Sequence, residues 1–213
     1  MPGVTSDRSA ILVAGLLAAG LACGAGVVVL AHGERPAMAG RQRAFADIAL
    51  VDQDGVERSL RFWSGRLVVL DFIFTSCGDT CPIKTSQLAD VQQSLDPALR
   101  DRVQFVSVSI DPEHDTIDAL KAYASRNGAE LSNWSFLTGN LTKIAQLAAV
   151  FEPGQGSGGD IASYITTLHM TGGGAHIMQR YSGEPVDQAL LRRDIAAQAT
   201  DQSWQQAAGH PLP

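Results

Sequence analysis

The segment that most constrains the fold is LVVLDFIFTSCGDTCP, which runs from Leu67 to Pro82. Its first part, Leu67 to Phe74, is a short apolar run rich in β-branched and aromatic residues. Such a run predicts a strand buried on both faces of an α/β sheet. Pro82 then suits the first position of a helix, because the N–H that proline lacks has no partner there. The chain therefore places Cys77 and Cys81 in a strand-to-helix turn, where α/β folds put their functional sites.

The two cysteines are separated by Gly78, Asp79 and Thr80. A turn of this length allows either a disulfide or the shared binding of one metal ion, and the sequence leaves both open. Because a helix N-terminus favours a thiolate, we expect the pKa of Cys81 to be lowered. Redox enzymes of the thioredoxin class use C-x-x-C, so the extra residue argues against a simple copy of them. A structural disulfide without activity is the alternative interpretation.

Strands and helices alternate after this segment, which predicts βαβ units and a parallel sheet. The turn Asp52 to Gly55 predicts a hairpin that precedes the sheet strands. Leu88, Val91 and Leu95 form the apolar face of a helix after the cysteines. Further strands are predicted over Val103 to Ile110, Trp134 to Leu137 and Ala175 to Tyr181, and a terminal helix over Pro185 to Gln198.

The N-terminal segment Ala10 to Ala31 carries no charge and no proline, and its 22 residues are close to the about 20 that cross a bilayer. We predict a single-pass membrane anchor with the bulk of the chain outside the cytoplasm. A cleaved signal peptide is the alternative, because Ala37-Met38-Ala39 resembles a cleavage site. The predicted organisation is a cytoplasmic N-terminus over 1–9, an anchor over 10–31, a linker over 32–44, a domain over 45–199 and a tail over 200–213.

Charge and the remaining motifs restrict the function further. The formal net charge of -6 argues against a nucleic-acid partner. The acidic run Asp111 to Thr116 looks metal-binding at first sight. We interpret Asp115 or Thr116 as the cap of the next helix and His114 as an exposed side chain.

Three motifs occur in one order: FTSCGDTCPIKTSQL, VSVSIDPEHDT and NWSFLTGN. Together they resemble the Sco/SenC family of copper-binding assembly proteins, over about Phe45 to Ile195. The resemblance implies a thioredoxin-like fold with an N-terminal hairpin. The family usually has proline after the first cysteine, where this chain has Gly78.

The resemblance also implies a copper site made of Cys77, Cys81 and a later histidine. His169 holds that place behind Tyr164, although Leu168 replaces the acidic residue that the family has before the histidine. His176 is the rival ligand, but a position within a strand restricts its reach. Two thiolates suit Cu(I), and imidazole supports both Cu(I) and Cu(II).

By resemblance, the chain is a membrane-anchored copper chaperone for the binuclear copper centre of cytochrome c oxidase. Its domain is expected in the bacterial periplasm, or in the mitochondrial intermembrane space. A second hypothesis is a thiol–disulfide oxidoreductase that reduces the cysteines of a partner copper protein. Cys77 and Cys81 would be its redox-active pair, and disulfide exchange requires no histidine. A third hypothesis is that the chain is a peroxide-reducing relative on the same fold. Thr75, near Cys77, is the one residue that supports it.

Overall fold

The computed structural model describes residues 46–151, 161–172 and 176–201. The predicted anchor over 10–31, the linker and most of the tail lie outside these residues. Within the described ranges, no helix has both the length and the apolar character that a membrane span requires.

A seven-stranded mixed sheet forms the centre of the fold. In chain order its strands are β1 (Leu50–Asp52), β2 (Glu57–Arg58), β3 (Leu67–Ile73), β4 (Val103–Ser109), β5 (Trp134–Thr138), β6 (Thr167–Gly172) and β7 (His176–Ser182). Their spatial order is β2-β1-β5-β4-β3-β6-β7. The neighbours β3, β4 and β5 run parallel, and all other pairs are antiparallel. The α/β class and the N-terminal hairpin are therefore as predicted.

The described residues also contain six α-helices: α1 (Thr80–Ser94), α2 (Pro97–Arg100), α3 (Ile117–Arg126), α4 (Leu141–Phe151), α5 (Ile161–Ile165) and α6 (Gln188–Thr200). Helix α1 begins before the expected position at Pro82. Its first backbone hydrogen bond runs from the N–H of Ile83 to the carbonyl of Asp79, at 3.0 Å. Pro82 still lies in the first turn, where its missing N–H costs nothing.

Strand β3 is an interior strand, as its apolar sequence predicts. All seven of its residues are buried, and it lies between β4 and β6. In the parallel pair of β3 and β4, Ile73 is in register with Ser109. The loop that carries the cysteines and the loop that follows β4 therefore leave the sheet at the same edge.

Side chains of β3 alternate between two cores. On one side, Val69 and Ile73 pack with Cys81 and with helix α1; we call this side the cysteine face. On the other side, Leu70 and Phe72 pack with α4; we call it the opposite face. The alternation decides which residues of the neighbouring strands can reach the cysteines.

Candidate functional site

The cysteines lie between the end of β3 and the first turn of α1. The backbone N–H of Cys81 donates to Cys77 Sγ at 3.2 Å, and the N–H of Cys77 donates to the carbonyl of Phe74 at 3.1 Å. Both cysteines are free thiols in this structure. Cys81 is completely buried, whereas Cys77 is half-buried. Cys77 is therefore the sulfur that a reagent or partner protein reaches first.

Burial raises the pKa of the Cys81 thiol to about 12, and hydrogen bonding to Cys77 is the second cause. A backbone hydrogen bond of Phe74 and the charge of Lys84 oppose this shift. The expectation of a lowered pKa for Cys81 is wrong, because loss of hydration outweighs the helix dipole at this position. The N–H of Cys81, at the N-terminus of α1, donates to the other cysteine.

Asp115 holds the loop that leads to Cys77. Its carboxylate accepts hydrogen bonds from the Thr75 N–H at 3.0 and 3.1 Å, from the Thr75 hydroxyl at 2.5 Å and from the Ser109 hydroxyl at 2.6 Å. From the sequence, either Asp115 or Thr116 is expected to cap the next helix. Thr116 is the cap, because its hydroxyl accepts from the N–H of Ala119. Asp115 is instead completely buried and joins the two loops at the sheet edge.

Asp111 and His114 form a separate pair on the surface. The Nδ1 atom of His114 lies 2.8 Å from an oxygen of Asp111, and the His114 side chain is 73% exposed. Hydrogen bonding to Asp111 raises the pKa of His114. The prediction that His114 is exposed is confirmed.

A buried ion pair also lies on the cysteine face. Lys84 Nζ is 3.0 Å from Asp71 Oδ2, and the two side chains are only 1% and 2% exposed. The ammonium group donates to the carbonyls of Phe72 at 3.2 Å and Ile165 at 2.5 Å. It therefore joins α1 to β3 and to the end of α5.

Asp71 is itself held from the other side of the pair. The hydroxyl of Ser107, on β4, donates to Asp71 Oδ1 at 2.6 Å. The indole N–H of Trp134, on β5, donates to the Ser107 hydroxyl at 2.9 Å. The network thus extends from α1 across three strands of the sheet.

This ion pair was not predicted from the sequence, although two signals pointed to it. Lys84 stands four residues before Leu88 and so interrupts the apolar face of α1. Asp71 interrupts the apolar run of β3. Two opposite charges on buried faces of consecutive elements indicate a pair, because an unpaired charge is rarely buried.

His169 lies on the opposite face of the sheet from the cysteines. Its ring centroid is 5.0 Å from that of Phe151 and 6.3 Å from that of Phe72. Its strand neighbours Leu168 and Met170 pack on the cysteine face instead. Among the residues that the structure describes, neither ring nitrogen has a hydrogen-bond partner, and the side chain is completely buried. This structure does not bring His169 to the cysteines, so its assignment as a copper ligand stays a prediction.

His176 lies at the other end of the sheet. It pairs with Gly172, which pairs with Leu67 at the start of β3, whereas the cysteines follow the end of β3. The length of that strand, roughly 20 Å, separates His176 from the thiols. Across residues 46–151, 161–172 and 176–201, no group of three or more histidine, cysteine or acidic side chains is arranged to hold a metal ion.

Sequence comparisons place these residues in a known context. A model of the SCO1/SenC family matches residues 36–172. The SCO1 protein homolog of Bacillus subtilis is 31% identical over 138 residues, which are 62% of this chain and 70% of that relative. A relative from Stutzerimonas stutzeri, named as a candidate copper-binding protein, is 34% identical over 108 residues. That match covers 51% of this chain and 52% of the relative, so the chain spans about half of its length.

A comparison with solved structures gives the same result. BsSco, described as a member of the Sco family of cytochrome c oxidase assembly proteins with a disulfide switch, superposes with a TM-score of 0.60. The two chains are 28% identical, and the match covers 71% of this chain and 91% of BsSco. The thioredoxin-like fold expected from the three motifs is confirmed.

We expect Asp115→Asn to loosen the cysteine loop. An amide has one acceptor oxygen, so it cannot keep all the bonds to Thr75 and Ser109, and the loss should lower the free energy of unfolding by about 1–3 kcal/mol. Alkylation of the reduced thiols should become faster. Urea unfolding and iodoacetamide kinetics measure the two effects. Asp111→Asn, which changes the surface pair with His114, is the control. Equal stability of Asp115→Asn and the wild type would contradict the role of Asp115.

We also expect His169 to make the fold sensitive to acid. Burial lowers the pKa of His169 to about 3 from the usual 6.5, with Arg180 and Lys84 as further causes. Between these values the unfolded chain binds a proton that the folded chain excludes. This one group therefore lowers the free energy of unfolding, as the pH falls below about 6.5, by at most about 1.4 kcal/mol per pH unit.

Urea unfolding between about pH 4 and pH 7 measures this slope. His169→Leu removes the titrating group, so the slope should become shallower by that amount. His176→Ala, which removes an exposed histidine, is the control for the loss of a histidine. A slope that is unchanged in His169→Leu would show that other groups account for the acid sensitivity.

Proposed function

This chain belongs to the SCO1/SenC family, and from that premise we propose that it binds copper for the assembly of cytochrome c oxidase. The observation that carries the proposal is the pair of free thiols at the edge of the sheet, with Cys77 accessible and Cys81 buried beside it. Thiolates are the soft ligands that select Cu(I). The name of the S. stutzeri relative supports copper binding. The description of BsSco supports a role in oxidase assembly.

Copper is the cargo in this proposal, and Cys77 and Cys81 supply its thiolate ligands. Each thiol loses its proton on binding, so uptake of the metal releases protons. We propose His169 as the third ligand from the resemblance. That role requires β6 to rearrange, because the imidazole now packs among Phe72 and Phe151 on the opposite face.

Copper titration of the full chain tests these assignments. Cys77→Ser and Cys81→Ser should each abolish tight Cu(I) binding. If His169 becomes a ligand, His169→Ala should weaken copper binding about 10-fold or more, by analogy with the losses seen at metal sites. His176→Ala is the matched control. Unchanged affinity in His169→Ala would leave a site of two thiolates, and unchanged affinity in both serine variants would reject copper binding at this pair.

A second candidate function is the reduction of a partner's disulfide, which the unequal exposure of the two cysteines favours. The Cys77 thiolate attacks the partner disulfide, forms a mixed disulfide and releases one partner sulfur. Cys81 then attacks Cys77, loses its proton and releases the second partner sulfur. The partner gains two electrons, and the Cys77–Cys81 pair is left as a disulfide. This reaction uses no histidine, so His169→Ala should exchange disulfides at a near-normal rate.

We further propose that the segment 10–31 anchors the chain in the bacterial inner membrane, with the domain in the periplasm or an equivalent compartment. An uncharged segment of this length supports the proposal. The full chain should sediment with membranes, and deletion of residues 1–39 should release it. Recovery of the native chain beginning at Gly40 would show cleavage instead of a retained anchor.

A further inference from the structure

We propose that Lys84 provides the countercharge for Cu(I) held by Cys77 and Cys81, and so contributes to the copper affinity of this chain. The inference rests on the proposed function. Lys84 itself contacts neither the copper nor a partner protein. It is a positioning residue, which acts on the copper site through its charge.

The charge balance of the site calls for such a group. Two neutral thiols that bind one Cu(I) release two protons and become a bis-thiolate complex with a net charge of -1. One of these sulfurs belongs to the completely buried Cys81. A buried charge is costly unless an opposite charge lies near it. A nearby cation therefore stabilises the loaded site more than the empty one.

Lys84 is placed to meet this need. It follows Cys81 by three residues on α1, so the two side chains lie on the same face of the helix, one turn apart. Both are buried against the sheet. The carbonyls of Phe72 and Ile165 hold the ammonium group at the C-terminal half of β3, the half from which the cysteine loop leaves the sheet.

Asp71 pairs with this ammonium group at 3.0 Å, but the two charges belong to different elements of the fold. Lys84 shares α1 with Cys81, whereas Asp71 belongs to β3. The Ser107 hydroxyl on β4 donates to the other oxygen of Asp71 at 2.6 Å. The ion pair therefore places its positive end on the helix that carries the buried sulfur.

The test measures the Cu(I) affinity of the full chain by competition with the chelator bathocuproine disulfonate. Lys84→Met should weaken binding by about 10-fold or more, as the loss of groups beyond the metal ligands often does. Lys84→Arg keeps a positive charge and should restore most of the affinity. Lys121→Met is the control, because Lys121 forms an exposed ion pair with Asp54.

A second variant separates the loss of the Lys84 charge from a folding defect. Lys84→Met alone leaves Asp71 buried without its partner, which can destabilise the fold strongly. The double variant Lys84→Met/Asp71→Asn removes both charges and keeps an oxygen for the Ser107 hydroxyl. It should fold, take up one Cu(I) with the ultraviolet thiolate-to-copper absorption of the wild type, and still bind more weakly.

The outcomes separate this inference from the proposed function. Wild-type affinity in the folded double variant would overturn the role of Lys84 while copper binding itself stands. A folded Lys84→Arg variant as weak as Lys84→Met would also overturn it, because the charge would then not be the cause. A wild-type chain that binds no Cu(I) would reject the proposed function.

Discussion

The ion pair between Lys84 and Asp71 is the interaction on which the arrangement of the site depends. Two charges that are almost completely removed from water are tolerated only when they meet each other and further polar partners. Helix α1 must therefore face the sheet with Lys84 pointing at β3. That rotation also turns Cys81 inward, because it lies one turn away on the same helical face. The burial of Cys81 follows from this constraint.

The edge of the sheet supplies the second part of the arrangement. Strands β3 and β4 end in register at Ile73 and Ser109, so their loops lie side by side. Asp115 joins them by accepting hydrogen bonds from Thr75 and Ser109. The acidic motif after β4 thus supports the cysteine loop through the buried carboxylate of Asp115. Asp111 adds backbone hydrogen bonds to the Ser109 hydroxyl and to the Asp115 N–H.

The two-residue period of a strand accounts for the position of His169. In β6, Leu168 and Met170 fill the core beside Cys81, so the residue between them must face the other side of the sheet. A shift of one residue in the pairing of β6 with β3 would exchange these faces and bury His169 beside the thiols. It would also take Leu168 and Met170 out of the core beside Cys81, and this cost opposes the rearrangement that a third ligand requires.

Local pattern was sufficient for much of the fold. The apolar run of β3, the strand-to-helix turn, the hairpin at Asp52 and the family motifs follow from neighbouring residues, and the structure agrees with them. The placement of Cys77 and Cys81 beside each other was also predictable, because their spacing and the turn are local. The pKa of Cys81 was not, because it depends on how much of the protein covers the sulfur.

The amino-acid sequence by itself determined the alternation of strands and helices, the family and the thiol pair. Only the tertiary structure decided that Lys84 meets Asp71, that Asp115 reaches Thr75 and that His169 faces away from the thiols. The first two are contacts between residues 13 and 40 positions apart in the chain. All three features depend on strand register and helix rotation. Register and rotation are set by the packing of the whole core, which no short stretch of sequence contains.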